Sequence, residues 1–490
     1  MMSTEGFRIQ RAARWSGAEI GLRYVFQLSV MIGLARLVDP SAFGAIAMVT
    51  VFTALGTVFV DSGTGMALVQ KQHTTIEEET STFFLNLTIS LVMCALLIAC
   101  SPEIARFYGR PELQPFCIAM AFIFPLNGLA VVPDAILTQQ LRFDLRTRVE
   151  VVSSIISGLA ALIAAMAHLS AWALVWQALT SIGSRAALLY VVSGWRPRGR
   201  PSAVAIRAVT SFGGYMLLAG LIDTAYTRVQ ALLIGRRFSA GDVGQYSLAQ
   251  NTQQAPTSFV AALLNRLGLP LLSSIRHDLS GARALLDAGM KLGLFAFMPA
   301  MGALAVLAEP TVAVVYGPRW SQAGAVLSVL ALGSMPWPAH VLNLVAMNSQ
   351  GRPRLVLHVE IAKKAIAVAL LVLAAPYGLI AIAWSTVAAS TVSFFLNAWF
   401  VGRLMQYGIV PQARAILWSL LPTGAAATLA WWCEGHLPSG LTSVIAAWLA
   451  AAGGALVVAA LIKHPALTSV RRLMPSLRRT QHASNDHVES

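Results

Sequence analysis

Seven side chains of this 490-residue sequence carry charge where charge is costly. The cations Arg23, Arg228, Arg266 and Lys291 stand in runs of apolar residues long enough to cross a bilayer, and so do the carboxylates Glu19, Asp61 and Asp223. An ionisable group at such depth is expensive, so each marks a candidate site. Glu19 and Arg23 lie one helical turn apart and can neutralise each other or orient each other toward a ligand. Asp223 and Arg228 lie five residues apart near the middle of a later run. Arginine forks suit phosphate oxygens in pairs, whereas lysine supplies a point charge. The four cations therefore read as a substrate-binding set, and Glu19, Asp61 and Asp223 as coupling or charge-pair groups. Arg266, Lys291 and Arg185 lie toward one membrane face, where snorkelling is the plainer account. Asp61 in "FVDSGTG" and Asp134 in "VVPDAIL" can take a proton or cation, or simply serve the backbone at Gly- and Pro-bent positions. Glu150 and Glu360 fall at helix starts, where the dipole favours a carboxylate, and read as structural partners of nearby arginines.

Other chemistry is missing. No G-x-x-x-x-G-K-[ST] phosphate loop is present, so hydrolysis of ATP by this chain is not expected. No D-x-D pair stands ready to hold a metal for sugar transfer, and the nine histidines show no metal-ligand spacing. Cys94, Cys100, Cys117 and Cys433 form no CxxC and read as small helix-packing residues. The expectation is a non-enzyme without cofactor or metal.

The elements that must position these charges follow from composition. Apolar residues make up 57% of the chain and charged residues 11%, against about 25% charged in soluble domains. Lipid must be the solvent. The formal charge of +14 sits in short loops between apolar runs, which is membrane topology and not a nucleic-acid face. The N-terminus lacks a short apolar core with a small-residue cleavage site, so no cleaved signal peptide is expected. Apolar runs and their breaks predict an all-α polytopic protein of about fourteen spans. These are 14–37, 42–69, 82–100, 114–139, 149–168, 171–193, 208–235, 243–272, 284–308, 321–349, 355–375, 378–402, 414–432 and 441–462. With both termini in the cytoplasm, roughly 22 basic residues fall in inside loops and roughly 6 outside, so the positive-inside rule selects that orientation.

One sentence is written twice. "QLRFDLRTRVEV" (140–151) and "QGRPRLVLHVEI" (350–361) share Q-x-R-x6-V-E, and at the same offset "HLSAWAL" (168–174) meets "GLIAIAW" (378–384). Upstream, "LARLVDPSAFGAIAM" (34–48) is similar to "IGRRFSAGDVGQYSL" (234–248), setting Arg36 against Arg236 and Gly44 against Gly244. Six spans separate each pair, so the copies share one orientation. The chain reads as two parallel six-helix lobes, 1–207 and 208–405, then two further helices over 406–462 and a basic cytoplasmic tail over 463–490. Repeats of this kind with a shared site are a transporter architecture.

These segments also carry a family resemblance. The stretch from "LARLVDPSAFGAIAM" through "SGTGMALVQKQ", with "SFGGYMLLAGLIDTAYTRVQALLIGRRFSAGDVGQYSLAQN" in the second lobe, resembles bacterial polysaccharide (lipopolysaccharide- and exopolysaccharide-type) flippases. These belong to the multidrug/oligosaccharidyl-lipid/polysaccharide exporter superfamily. Gln230 stands where such proteins often have Asp before "xLLIGR". The resemblance implies a multi-pass bacterial inner-membrane protein. It would flip undecaprenyl-diphosphate-linked oligosaccharide repeat units from the cytoplasmic to the periplasmic leaflet by alternating access. Exopolysaccharide, capsule and O-antigen assembly are all compatible, driven by an ion gradient or by downstream polymerisation. Expected partners are the lipid-linked oligosaccharide, membrane lipids, a polysaccharide polymerase and chain-length or export proteins. Two other readings stay open: a cation-coupled multidrug exporter, and a membrane-embedded glycan polymerase or transferase.

Overall fold

In a computed structural model, residues 26–61, 64–71, 74–275, 277–438 and 440–467 are described, and every regular element among them is a helix. Helices satisfy their backbone groups internally, as a lipid environment demands. The chain divides into two compact units, Met1–Gly244 and Gln245–Ser490. The first holds α1 (Phe26–Leu37), α2 (Pro40–Asp61), α3 (Thr64–Gln70), α4 (Ile76–Tyr108), α5 (Leu113–Ala121), α6 (Ile123–Gln139), α7 (Phe143–Met166), α8 (Ala171–Ser193) and α9 (Ala203–Arg237). The helix α10 (Ala240–Ser274) begins in the first unit and continues in the second. The second goes on with α11 (Leu279–Val315), α12 (Ser321–Ser334), α13 (Trp337–Ser349), α14 (Pro353–Ala374), α15 (Leu379–Met405), α16 (Ile409–His436) and α17 (Leu441–Leu461).

By length and apolarity, nine helical stretches among the described residues can cross a membrane, or ten when α12 and α13 count as one span bent by 42°. This multi-pass organisation suits the exposed apolar side chains along the helices, such as Leu91, Ile163 and Leu449, which in water would be a liability. The helices α8, α9 and α14 have 23, 35 and 22 residues but are not among the nine. Helix α14 bears Glu360, Lys363 and Lys364 within a few residues, more charge than a plain span tolerates.

Local chemistry sets the helix ends. At the start of α4, Thr75 accepts from the Glu78 amide while the Glu78 carboxylate accepts from the Thr75 amide, a reciprocal cap. Its far end stops at Gly109, which adopts φ 66. Both copies of Q-x-R-x6-V-E make the same turn. Leu141 (φ 55) and Gly351 (φ 67) take the left-handed conformation, Arg142 and Arg352 stand just before the first turn of the next helix, and Val149 and Val359 are buried.

In the first unit, α7 packs on α8, α6 lies against α4 and α8, and α9 packs on α2, α3 and α4. The starts of α2 and α10 touch through glycine. A Cβ on Gly44 would lie 2.7 Å from the Ala240 carbonyl carbon, and one on Gly244 would lie 2.8 Å from that of Pro40. In the second unit α11 is the central post, contacting α12, α13, α16 and α17. The two C-terminal helices join it through small side chains: Ala303 and Leu307 meet Ala426, Ala430, Ala447 and Ala451. Such residues let backbones approach closely where lipid removes any hydrophobic drive. An amide pair fixes α13 to α16, with Asn343 donating to Gln412 at 2.8 Å and Gln412 donating back at 2.9 Å, both fully buried.

Candidate functional site

Three consecutive helices of the first unit bring charge to one place. Asp134 lies near the C-terminal end of α6, just after Pro133, Arg146 sits in the first turns of α7, and Arg185 lies in α8. The two Asp134 oxygens take one guanidinium each: Arg146 Nε donates to Oδ1 at 2.9 Å, and Arg185 Nη2 stands 3.1 Å from Oδ2. Side-chain exposures of 19% for Asp134, 37% for Arg146 and 27% for Arg185 leave part of both guanidiniums open to a ligand. Asp61, the last residue of α2, accepts from Asn127 Nδ2 at 2.9 Å and lies within electrostatic reach of Arg185 and Asp134. The cluster thus balances two carboxylates with two guanidiniums. An incoming phosphate can compete with Asp134 for both cations.

In the second unit Asp287 and Lys291 pair one turn apart on α11, and the Tyr407 hydroxyl donates to Asp287 Oδ1 at 3.0 Å. Beside them is a recess of about 540 Å³ whose lining includes Ser280, Arg283, Asp287, Gln406 and Tyr407. A second polar system runs from α14 through α15 to α13. Lys363 pairs with Glu360 and donates to Asn397 Oδ1 at 3.2 Å. Asn397 Nδ2 faces His340 Nδ1 at 3.5 Å, and His340 Nε2 is 3.1 Å from Ser390 Oγ, which donates to the Gly333 carbonyl at 2.8 Å.

The residues expected from sequence fare differently. Glu19 and Arg23 lie outside the described residues. Arg228 and Asp223 are both exposed on α9. Arg266 is exposed on α10, and Lys291 is held by Asp287. Asp61 joins the Asp134 group. Glu360 pairs with Lys363, not with an arginine, because the lysine one turn on reaches it first. Among the described residues no three His, Cys, Asp or Glu side chains converge as metal ligands.

Sequence reasoning passed over the union of Asp134, Arg146 and Arg185, although a signal was there. All three lie at the same end of successive antiparallel segments, so their depths match. It also passed over the His340 system, whose members are scattered over three helices. The two polar systems occupy non-equivalent places in the repeat. At the offset aligning Gln140 with Gln350, His340, Lys363 and Asn397 correspond to Ala130, Ser153 and Ala187. Asp134, Arg146 and Arg185 correspond to Leu344, Val356 and Phe395. Each unit has its own polar chemistry.

Comparison with known proteins fits this frame. The profile of the family described as polysaccharide biosynthesis protein matches residues 33–325. The succinoglycan biosynthesis transport protein ExoT of Rhizobium meliloti is 27% identical over 299 residues, 61% of this chain and 60% of that protein. The teichuronic acid biosynthesis protein TuaB of Bacillus subtilis is 24% identical over 434 residues, covering 86% of this chain and 88% of that protein. Among solved structures, the lipid II flippase MurJ in an inward closed conformation shares the fold with a TM-score of 0.76. That likeness covers 91% of this chain and 98% of MurJ at 12% identity. With its family profile covering more than half its length, this chain belongs to the polysaccharide biosynthesis protein family.

Proposed function

We propose that this chain flips undecaprenyl-diphosphate-linked oligosaccharide repeat units from the cytoplasmic to the periplasmic leaflet of a bacterial inner membrane by alternating access. The observation that carries the reading is the family match over residues 33–325. Beside it stands the Asp134 group, whose paired arginines have the chemistry a diphosphate needs. By the charge bias of the loops this end of α6 faces the cytoplasm, where the substrate is loaded. Arg228, Arg266 and Lys291 are further diphosphate contacts in this reading, with Arg23 once substrate is bound. Glu19, Asp61 and Asp223 balance these cations in the empty state. Both termini are cytoplasmic, and a polysaccharide polymerase takes the flipped unit.

The test compares a deletion strain with one complemented by the parental gene. Lipid-linked repeat units should accumulate in the deletion strain, shielded from a membrane-impermeant reagent added on the periplasmic side, and complementation should restore their exposure. Equal exposure in both strains overturns the proposal. Loss of drug export with unchanged repeat-unit exposure supports the multidrug-exporter reading instead.

A further inference from the structure

The donors in the second unit's polar system all point one way. Ser390 spends its hydroxyl hydrogen on the Gly333 carbonyl, so toward His340 it can only accept. The His340 hydrogen therefore sits on Nε2, and Nδ1 keeps its lone pair facing the Asn397 amide nitrogen. The Asn397 oxygen is left to accept from Lys363, whose other partner is Glu360. Asn397 is fully buried and the Lys363 side chain is only 14% exposed, so water does little to relax this order. The result is an unbroken series: ammonium to amide oxygen, amide nitrogen to imidazole, imidazole to hydroxyl, hydroxyl to backbone carbonyl. Its basic site is Nδ1 of His340, where the contact from the Asn397 amide nitrogen is the longest of the series at 3.5 Å.

From this geometry we infer that His340 is a proton-binding site whose occupancy decides whether Lys363 on α14 remains fastened to Asn397 on α15. A proton taken from hydronium by Nδ1 gives an imidazolium with a donor on both nitrogens and leaves water behind. Two hydrogens then oppose each other across the 3.5 Å gap to Asn397 Nδ2. Asn397 relieves this by turning its amide over and offering oxygen to the imidazolium. The same turn presents its NH₂ group to the Lys363 ammonium, which has three donors and no acceptor. The link cannot survive, and Lys363 withdraws to Glu360 alone. The amide can serve one cation at a time. A proton thus binds better when α14 and α15 are unfastened, and differential affinity of this kind is what shifts an equilibrium.

The other titratable groups near the switch leave it this role. Helix α11, packed on α13, brings Asp287 and Lys291, which neutralise each other. Helix α14 brings Glu360, Lys363, His358 and Lys364; the latter two have contacts of their own. Helix α15 adds Arg403, which lies over the Trp399 ring 4.1 Å from its centroid.

The test reads structure and does not depend on what the protein transports. Spin labels go on cysteines at Ile361 of α14 and Val392 of α15, both exposed, with the exposed Cys100 replaced by Ser. Distance distributions are recorded in nanodiscs from about pH 8 to about pH 3, a range that includes the titration of free histidine and extends well below it. The parent should shift from a narrow to a longer, broader distribution as pH falls. His340→Gln should keep the narrow distribution throughout, and Lys363→Met should show the longer one at every pH. A parental distribution that does not change with pH overturns the inference, as does a His340→Gln variant that shifts like the parent. Should His340→Gln fail to fold, the parent and Lys363→Met decide alone, because Lys363→Met matching the parent at high pH is also refuting.

Discussion

Replacing Gly244 with Ala puts one methyl group where the start of α2 already is. The added Cβ would lie 2.8 Å from the Pro40 carbonyl carbon and 3.1 Å from the Gly44 nitrogen, and it would overlap the Pro40 oxygen outright. Each of these is backbone, so no side chain can swing aside. The helix starts must separate by roughly 1 Å, enough to forfeit much of the dispersion at the crossing. Glycine to alanine inside a helix otherwise gains about 1 kcal/mol, whereas overpacking against a rigid wall costs about 1–3 kcal/mol and occasionally more. A net loss of about 1–2 kcal/mol is expected. The assay is thermal unfolding in detergent, followed by a thiol-reactive dye that reports exposure of the buried Cys94, Cys117 and Cys433, in a Cys100→Ser background. Gly453→Ala is the control, since its Cβ meets nothing within 4 Å, and it should be neutral or stabilising. Gly44→Ala should resemble Gly244→Ala because the contact is reciprocal. The double variant should lose less than the sum, since one separation relieves both clashes. If Gly244→Ala unfolds no earlier than Gly453→Ala, the close crossing does not exist in the protein.

Three further outcomes follow from other contacts. Leu141→Gly should stabilise the protein by about 1 kcal/mol by removing left-handed strain, because the side chain is 73% exposed and the counterpart Gly351 already has this form; an earlier melting transition would contradict it. Asp134→Asn should destabilise by about 1.5–3 kcal/mol, the cost of two part-buried guanidiniums losing a charged hydrogen-bond partner, read by the same dye assay against an Asp134→Asn/Arg146→Gln double variant that recovers part of the loss. Asn343→Leu should cost about 1–3 kcal/mol by leaving the buried Gln412 amide unmatched, and Asn343→Leu/Gln412→Leu should lie closer to the parent; equal losses would argue against the amide pair.

Apolar runs locate helices well where polar breaks are sharp. The interval 171–193 coincides with α8, and 441–462 with α17, Leu441–Leu461. Where they mislead, the cause is that apolar length measures membrane thickness and not helix length. The interval 284–308 became α11, Leu279–Val315, because its polar first turns remain helical beneath an Asp278 cap. The interval 321–349 is broken into α12 and α13 at Met335 and Pro336, where proline cannot donate to the preceding turn. The individual charges were legible, but their partners were not. The series from Lys363 through Asn397 to His340 is a property of helix rotation, which a hydropathy pattern with lipid on one side and protein on the other leaves loosely defined.

The choice of partner for each buried charge also bears on how the chain is made. Helix α11 leaves the ribosome about ninety residues before α16, a delay of about 5–20 s at ordinary synthesis rates. Its alanine face can wait in lipid at no cost, because lipid is as apolar as the helix that will replace it. Its charges cannot wait so easily, since each would cost about 2.5–3.5 kcal/mol alone on insertion. Asp287 and Lys291 avoid this by lying on the same helix, so that pair enters the bilayer already neutralised. Asp134 finds Arg146 only twelve residues on, across one tight turn, and α6 and α7 can be handed over as a hairpin. Arg185 joins last, when α8 arrives and closes the group.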